Sequence, residues 1–351
     1  IILNFLIIAC FILTFTLKSS ANFNKTVLKD KAREVVYQLE SSVKNKINGK
    51  IEVLVEGIFS EDTELNSSFA ITFSNCLVEA LKESKKFVPV EEVKRGLISK
   101  GVTRGGRSIS EIVLDEDPKV IDAVLWEAEA ILFGHYKIEQ EKIAISLNLV
   151  DTNRTVLARA FTKIETKSTP QASLPVRPEN YTLIKEVYQF MVKNEEKYCT
   201  GKLKIRVLTD RGKRGAVYCE GESLKVYFTA NKNCYLYLYY YNANGKMIQI
   251  FPNKYCEENY IRANQVYVIP DEHYGFDFLV TPPFGPEILK AVASDTPISM
   301  LSGNRVSETP FYSIPVNPEK VIEKFRGIKV VKKKVVEKAE DSCLIFTLPC
   351  Q

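Results

Sequence analysis

Residues 234–253 read CYLYLYYYNANGKMIQIFPN, with five tyrosines among residues 235–241. Side chains alternate across a strand with period two. Leu236, Leu238 and Tyr240 therefore share one face, and Tyr235, Tyr237, Tyr239 and Tyr241 share the other. Asn244-Gly245 supplies the dipeptide of a tight reversal, and MIQIF after it makes a second strand, so the stretch is a β-hairpin. The leucine face belongs to a core. The tyrosine face is either strand surface covered by neighbours or an aromatic platform for sugar rings or the side chains of a protein partner. Those four tyrosines are the candidate ligand face.

Outward from the hairpin the period of two persists. Residues 202–210, KLKIRVLTD, set Leu203, Ile205 and Val207 against Lys202, Lys204 and Arg206, and SLKVYFTA repeats the pattern with Leu224, Val226 and Phe228. Further strands are expected at 265–270, 276–280, 287–294 and 343–348. Short strands at this spacing, with turn signals between them, predict an immunoglobulin-like β-sandwich over residues 201–351. The run TPPFGPE at 281–287 is the second distinctive phrase of this half. Together with VLTDR (207–211), Gly221-Glu222, Tyr235-Leu236-Tyr237, Gly245, Phe251-Pro252-Asn253, Ile269-Pro270 and AVAS (291–294), it resembles the bacterial domain of unknown function 4384. That resemblance implies an appended module, often exported, for which no catalytic residues are established.

The first half has a different grammar. Residues 25–46 place Val27, Leu28, Ala32, Val35, Val36, Leu39 and Val43 on one helical face, and IEVLVEGIF (51–59) is a strand. A helix over 67–84 buries Phe69, Phe73, Cys76, Leu77, Ala80 and Leu81, which makes Cys76 a buried thiol. KFVPVEEV is a short strand, Asp117-Pro118 starts a helix as cap and first residue, and three strands follow at 130–139, 142–151 and 156–166. This is an α/β domain over residues 25–166. Its order, with Ala130, Gly134 and Tyr136 ahead of paired strands ending LVDTNRTV, resembles the envelope family of the TolB amino-terminal domain, FlgO and CsgG. The resemblance covers residues 30–165 and implies an assembly or docking role. The pore-forming insertions of the curli channel are not visible. Residues 167–200, opening with KSTPQASLPVRPE, form a proline-containing linker and a helix from 180 to 194.

With 351 residues, 45% hydrophobic and 26% charged, the chain is globular and long enough for two domains, an α+β arrangement overall. A net charge of +5 is too diffuse for a nucleic-acid partner. Residues 1–17 are almost wholly apolar and Ser19-Ser20-Ala21 suits a signal peptidase, so residues 1–21 read as a signal peptide. An uncleaved membrane tether, or a lipoprotein at Cys10, are the alternatives. Cys199, Cys219, Cys234, Cys256, Cys343 and Cys350 form an even set suited to disulfides in an exported region, with no pairing decided by spacing.

Chemistry is thinly represented. His135 and His273 are the only histidines, no CxxC spacing occurs, and no metal or cofactor is expected. GVTRGGRS (101–108) has Arg107 where a phosphate loop needs Lys and follows a helical rather than a strand pattern, so it reads as a surface loop. Asp115, Glu116 and Asp117 are helix-start charge rather than a cation site. KVVKKKVVEK (329–338) reads as a lysine-protected edge. The expectation is a non-catalytic, exported protein of the periplasm or outer-membrane-associated envelope, with an envelope protein partner. Peptidoglycan, taken by Tyr235, Tyr237, Tyr239 and Tyr241, is the alternative ligand.

Overall fold

The computed structural model describes residues 25–43, 48–90, 113–114, 121–166, 174–178, 180–193, 195–297, 303–307, 309–314, 317, 320 and 336–349. The signal-peptide reading, the 101–108 loop, the 115–117 carboxylates with the cap at 117, Cys350 and most of the 329–338 run lie outside them.

The amino-terminal half runs α1 (Lys25–Val43), β1 (Ile51–Ser60), α2 (Ser68–Lys82), β2 (Phe87–Pro89), α3 (Ile121–Leu125), β3 (Ala130–Glu139), β4 (Lys142–Asp151) and β5 (Val156–Glu165). Ser67 caps α2, its hydroxyl accepting the Ala70 N–H at 3.2 Å and satisfying one orphan donor of the first turn. The sheet order is β2-β1-β3-β4-β5. The first three strands are parallel and the last two pairings antiparallel. The apolar faces of α1 and α2 cover one side of it, with Leu28, Leu39, Phe69, Phe73 and Leu77 fully buried. Gly134 in β3 is a packing glycine. A Cβ there would stand 2.4 Å from the Ser146 carbonyl oxygen and 2.5 Å from Leu147 Cδ2. Gly134→Ala should therefore cost about 1–3 kcal/mol, read as a lower urea midpoint.

The carboxy-terminal half begins with α4 (Tyr181–Met191) and a short 3₁₀ turn (Glu195–Tyr198). The strands β6 (Ile205–Thr209), β7 (Ala216–Cys219), β8 (Ser223–Leu224), β9 (Val226–Ala230), β10 (Cys234–Tyr241) and β11 (Met247–Phe251) follow. After them come β12 (Tyr260–Ile261), β13 (Tyr267–Ile269), β14 (Phe278–Leu279), β15 (Pro286–Ser294), β16 (Asn304–Arg305), β17 (Tyr312–Ser313) and β18 (Lys338–Leu348). The long sheet is ordered β16-β17-β11-β10-β15-β18-β7, with β12 also paired to β10. A three-stranded sheet β13-β9-β6 and the β14-β8 pair pack against its inner face. The chain is thus mixed, dominated by sheet with few helices. The β10–β11 hairpin forms as expected, but through a longer connection. Asn242 and Lys246 close it, and Gly245 takes φ +79° inside.

The halves share two apolar clusters. Leu54 and Ile131 on the second face of the amino-terminal sheet meet α3, Trp126, Leu208 and Tyr227. Leu65, after β1, joins the cluster beneath α4. Polar groups are matched across the same junction. The Asp122 carboxylate accepts the backbone N–H groups of Lys213 at 2.9 Å and Arg214 at 3.0 Å, while Arg214 reaches Glu64 at 3.1 Å. Glu56 lies beneath Arg214 at 3.8 Å. Burial pushes the Glu56 carboxyl up to about 7, outweighing Arg214, and pushes Asp122 up to about 6. Between the unfolded and folded values the folded state binds more protons, so stability falls as pH rises, for Glu56 from 4.5 to about 7 and for Asp122 from 3.8 to about 6. Relative to Glu56→Gln, the natural chain should lose stability on the order of 2 kcal/mol between pH 5 and pH 8, measured by urea titration at each pH.

Candidate functional site

The tyrosine face is covered. Tyr237, Tyr239 and Tyr241 are buried under α4, against Ile184, Val187, Tyr188 and Met191. Tyr235 alone keeps partial exposure, with its ring against Tyr260. The platform alternative is corrected accordingly. β10 is an interior strand with β15 on one side and β11 and β12 on the other, and α4 closes over its tyrosine side. Leu236 and Leu238 face the sandwich core, as the alternation predicts.

The helix expected beside the linker therefore has a structural task. It is also tied to the loop after β1: Asp62 pairs with the Tyr181 hydroxyl and with Lys185 at 3.2 Å. Burial alone would raise the Asp62 carboxyl. The hydrogen bonds from Ser60, Tyr181 and Lys185 hold it down at about 2.

No disulfide joins any two of the described cysteines, and Cys350 lies outside the described residues. Cys234 in β10 and Cys343 in β18 are buried with β15 between their strands. Two strand spacings, roughly 9–10 Å, exceed what a disulfide spans. Burial pushes both thiols up to about 12. His135 Nε2 lies 2.9 Å from Glu64 Oε1. Glu64 also meets the Arg214 guanidinium at 3.1 Å, so it bridges His135 and Arg214.

The structure instead opens a cleft on the other face of the hairpin. The long sheet is wider than the sheet that covers it, so part of its inner face beside β8 and β14 lacks a partner strand. The cavity left there measures about 360 Å³ and is walled by Leu224, Ile248, Ile250, Phe278, Leu289 and Phe311. TPPFGPE forms its rim, with Pro282 and Pro283 lining the opening, and carries Glu287 to its base. Glu287 is 3% exposed. Its Oε1 accepts the Ala243 N–H at 3.3 Å, and the Tyr240 hydroxyl stands beside the same carboxyl and favours its ionised form. Oε2 has no hydrogen-bond partner. Burial pushes this carboxyl up to about 7 in spite of those two donors.

An aromatic ladder leads away from the cleft. Phe278 and Phe311 in its wall pack with Phe276, ring centroids 5.6 and 5.4 Å away. Phe276 in turn packs with Tyr274 at 5.4 Å and Tyr255 at 5.8 Å. Tyr255 stands 59% exposed at the outer end. Sequence reasoning had marked TPPFGPE and Glu287 as family text but assigned them no site. The signal was available as one acidic residue opening the apolar strand PEILKAVAS, where a charge must be paired or used.

No curated protein matches the chain by sequence. Among solved structures, the chain is similar to the LpoB C-terminal domain from Escherichia coli at 11% identity, covering 41% of this chain and 99% of that one with a TM-score of 0.28. The LpoB C-terminal domain from Salmonella enterica is similar at 13% identity, with 37% and 95% covered and a TM-score of 0.27. Lipoprotein GNA1162 from Neisseria meningitidis follows at 15%, with 40% and 94% covered and a TM-score of 0.24. Residues 217–297, which hold the hairpin, the cleft's Glu287 and the aromatic ladder apart from Phe311, match the family model described as Domain of unknown function (DUF4384).

Proposed function

We propose that the chain is an exported bacterial envelope protein that binds a protein partner and carries out no reaction of its own. In this reading an α/β docking domain of TolB, FlgO and CsgG type is joined to an immunoglobulin-like recognition module. The observation that carries it is the cleft: an apolar cavity with a single carboxyl at its base, opening onto an exposed aromatic surface. Such a lining suits recognition, because apolar walls supply affinity and one placed polar group supplies orientation. The signal-like text of residues 1–21 and the two family resemblances support an envelope location. Glycan binding through the face of Tyr235, Tyr237, Tyr239 and Tyr241 is the weaker reading, because α4 lies over all of them but Tyr235.

The test is a photo-crosslinking amino acid at Leu279, which lines the cleft and is 59% exposed, with Tyr37 on α1 as the control position. The protein should fractionate with the envelope and give one discrete adduct from position 279 and none from position 37. Recovery in the cytoplasmic fraction, or identical adducts from both positions, would overturn the reading.

A further inference from the structure

The geometry points to a basic segment as the cleft's occupant: a lysine side chain whose stem fills the apolar cavity and whose ammonium meets Glu287. This rests on the recognition reading above and adds the chemistry of the ligand.

Two independent features carry it. The first is the unmatched oxygen. Among the described residues, Glu287 Oε2 is buried without a hydrogen-bond partner, and Glu287 is the one formally charged residue lining the cavity. A buried acceptor left without a donor is costly, and an ionised one more so. Tyr240 and the Ala243 N–H serve the carboxyl from the protein's side. The remaining donor has to arrive with the ligand. Because Leu224, Ile248, Ile250 and Leu289 flank the approach, that donor must sit at the end of an apolar stem. A primary ammonium on methylenes meets both conditions: the stem covers apolar wall and the head makes a charge-assisted bond. A carboxylate ligand would face Glu287 with like charge. A hydroxyl would supply the bond without the charge.

The second feature is the surface outside the mouth. The segments that carry Tyr255, Tyr274 and Phe276 also carry Glu257, Glu258, Asp271, Glu272 and Asp277, against Lys254 and His273. Lys225 lies beside the same 270–277 turn. An excess of carboxylates around exposed and half-buried rings favours lysine and arginine, by Coulomb attraction and by cation–π contact. The cleft and its apron therefore select the same charge in the same partner.

The experiment uses n-hexylammonium, 1-hexanol and hexanoate as probes on the full chain, with selectively labelled Ile and Leu methyl groups observed by NMR. Hexylammonium should shift the methyls of Ile248, Ile250 and Leu289 saturably at neutral pH, with a midpoint at least tenfold lower than hexanol. Hexanoate should bind more weakly than either. In Glu287→Gln, close to isosteric, hexylammonium and hexanol should become equal. Hexanol binding as tightly as hexylammonium to the natural chain would sink the lysine inference while leaving an apolar recognition cleft intact. Hexanoate binding tightest, or no methyl shift with any probe, would also overturn it. The envelope and crosslinking outcome stands apart from these, so each failure can be told from the other.

Discussion

Tyr239→Ser should destabilise the folded chain by about 3–5 kcal/mol, the range for emptying a large aromatic site in a core. Tyr239 is 0% exposed, its ring stacked on Tyr237 at 6.3 Å with the planes 8° apart, and α4 lies over both. Serine would leave a cavity between an interior strand and the helix that seals it, and neither can close in, because β10 is held by strands on both sides. The urea midpoint should fall by about 1 M, given the steep slope expected for a protein of this size. Tyr235→Ser, on the same face but half-exposed beside Tyr260, should stay within about 1 kcal/mol. Equal midpoints for the two variants would mean that α4 does not cover this face in solution.

The second large effect concerns Lys290, the middle of β15. Its ammonium is 0% exposed, 2.7 Å from Glu195 Oε2, 3.0 Å from Glu340 Oε2 and 2.6 Å from the Met191 carbonyl oxygen. Burial alone would lower its pKa, but the two carboxylates outweigh burial and raise it, so the group stays charged. Lys290→Ala leaves the buried Glu340 and the half-buried Glu195 without their cation and should cost about 3–5 kcal/mol. Lys290→Met, which preserves volume, should cost nearly as much, because the loss is electrostatic. Adding Glu195→Gln and Glu340→Gln to Lys290→Met should restore part of the midpoint, since replacing a whole buried ion cluster is far milder than breaking it. No recovery in the triple variant would contradict the assignment of this cost to uncompensated charge.

Both effects sit on residues whose type was legible and whose burial was not. Alternation in CYLYLYYY separates the leucine face from the tyrosine face without ambiguity, and Asn-Gly announces the reversal. Whether the tyrosines meet water depends on α4, which is far enough away in sequence that its apolar stripe could have packed elsewhere. Lys290 reads as a surface lysine in ILKAVAS until the 3₁₀ turn and β18 bring Glu195 and Glu340 against it. The cleft is of the same kind. Glu287 was visible as family text, but its unmatched oxygen exists only because β8 and β14 are too short to complete the covering sheet.

Local periodicity by itself determined the amino-terminal helices and sheet, the β-rich second half and the hairpin at its centre, because alternation and helical spacing are properties of a few consecutive residues. Long-range pairing decided the rest: the covered tyrosine face, the strand that separates Cys234 from Cys343, the matched charges between the halves and the open cleft. Burial is set by what the rest of the chain lays over a strand, and no stretch of twenty residues contains that information.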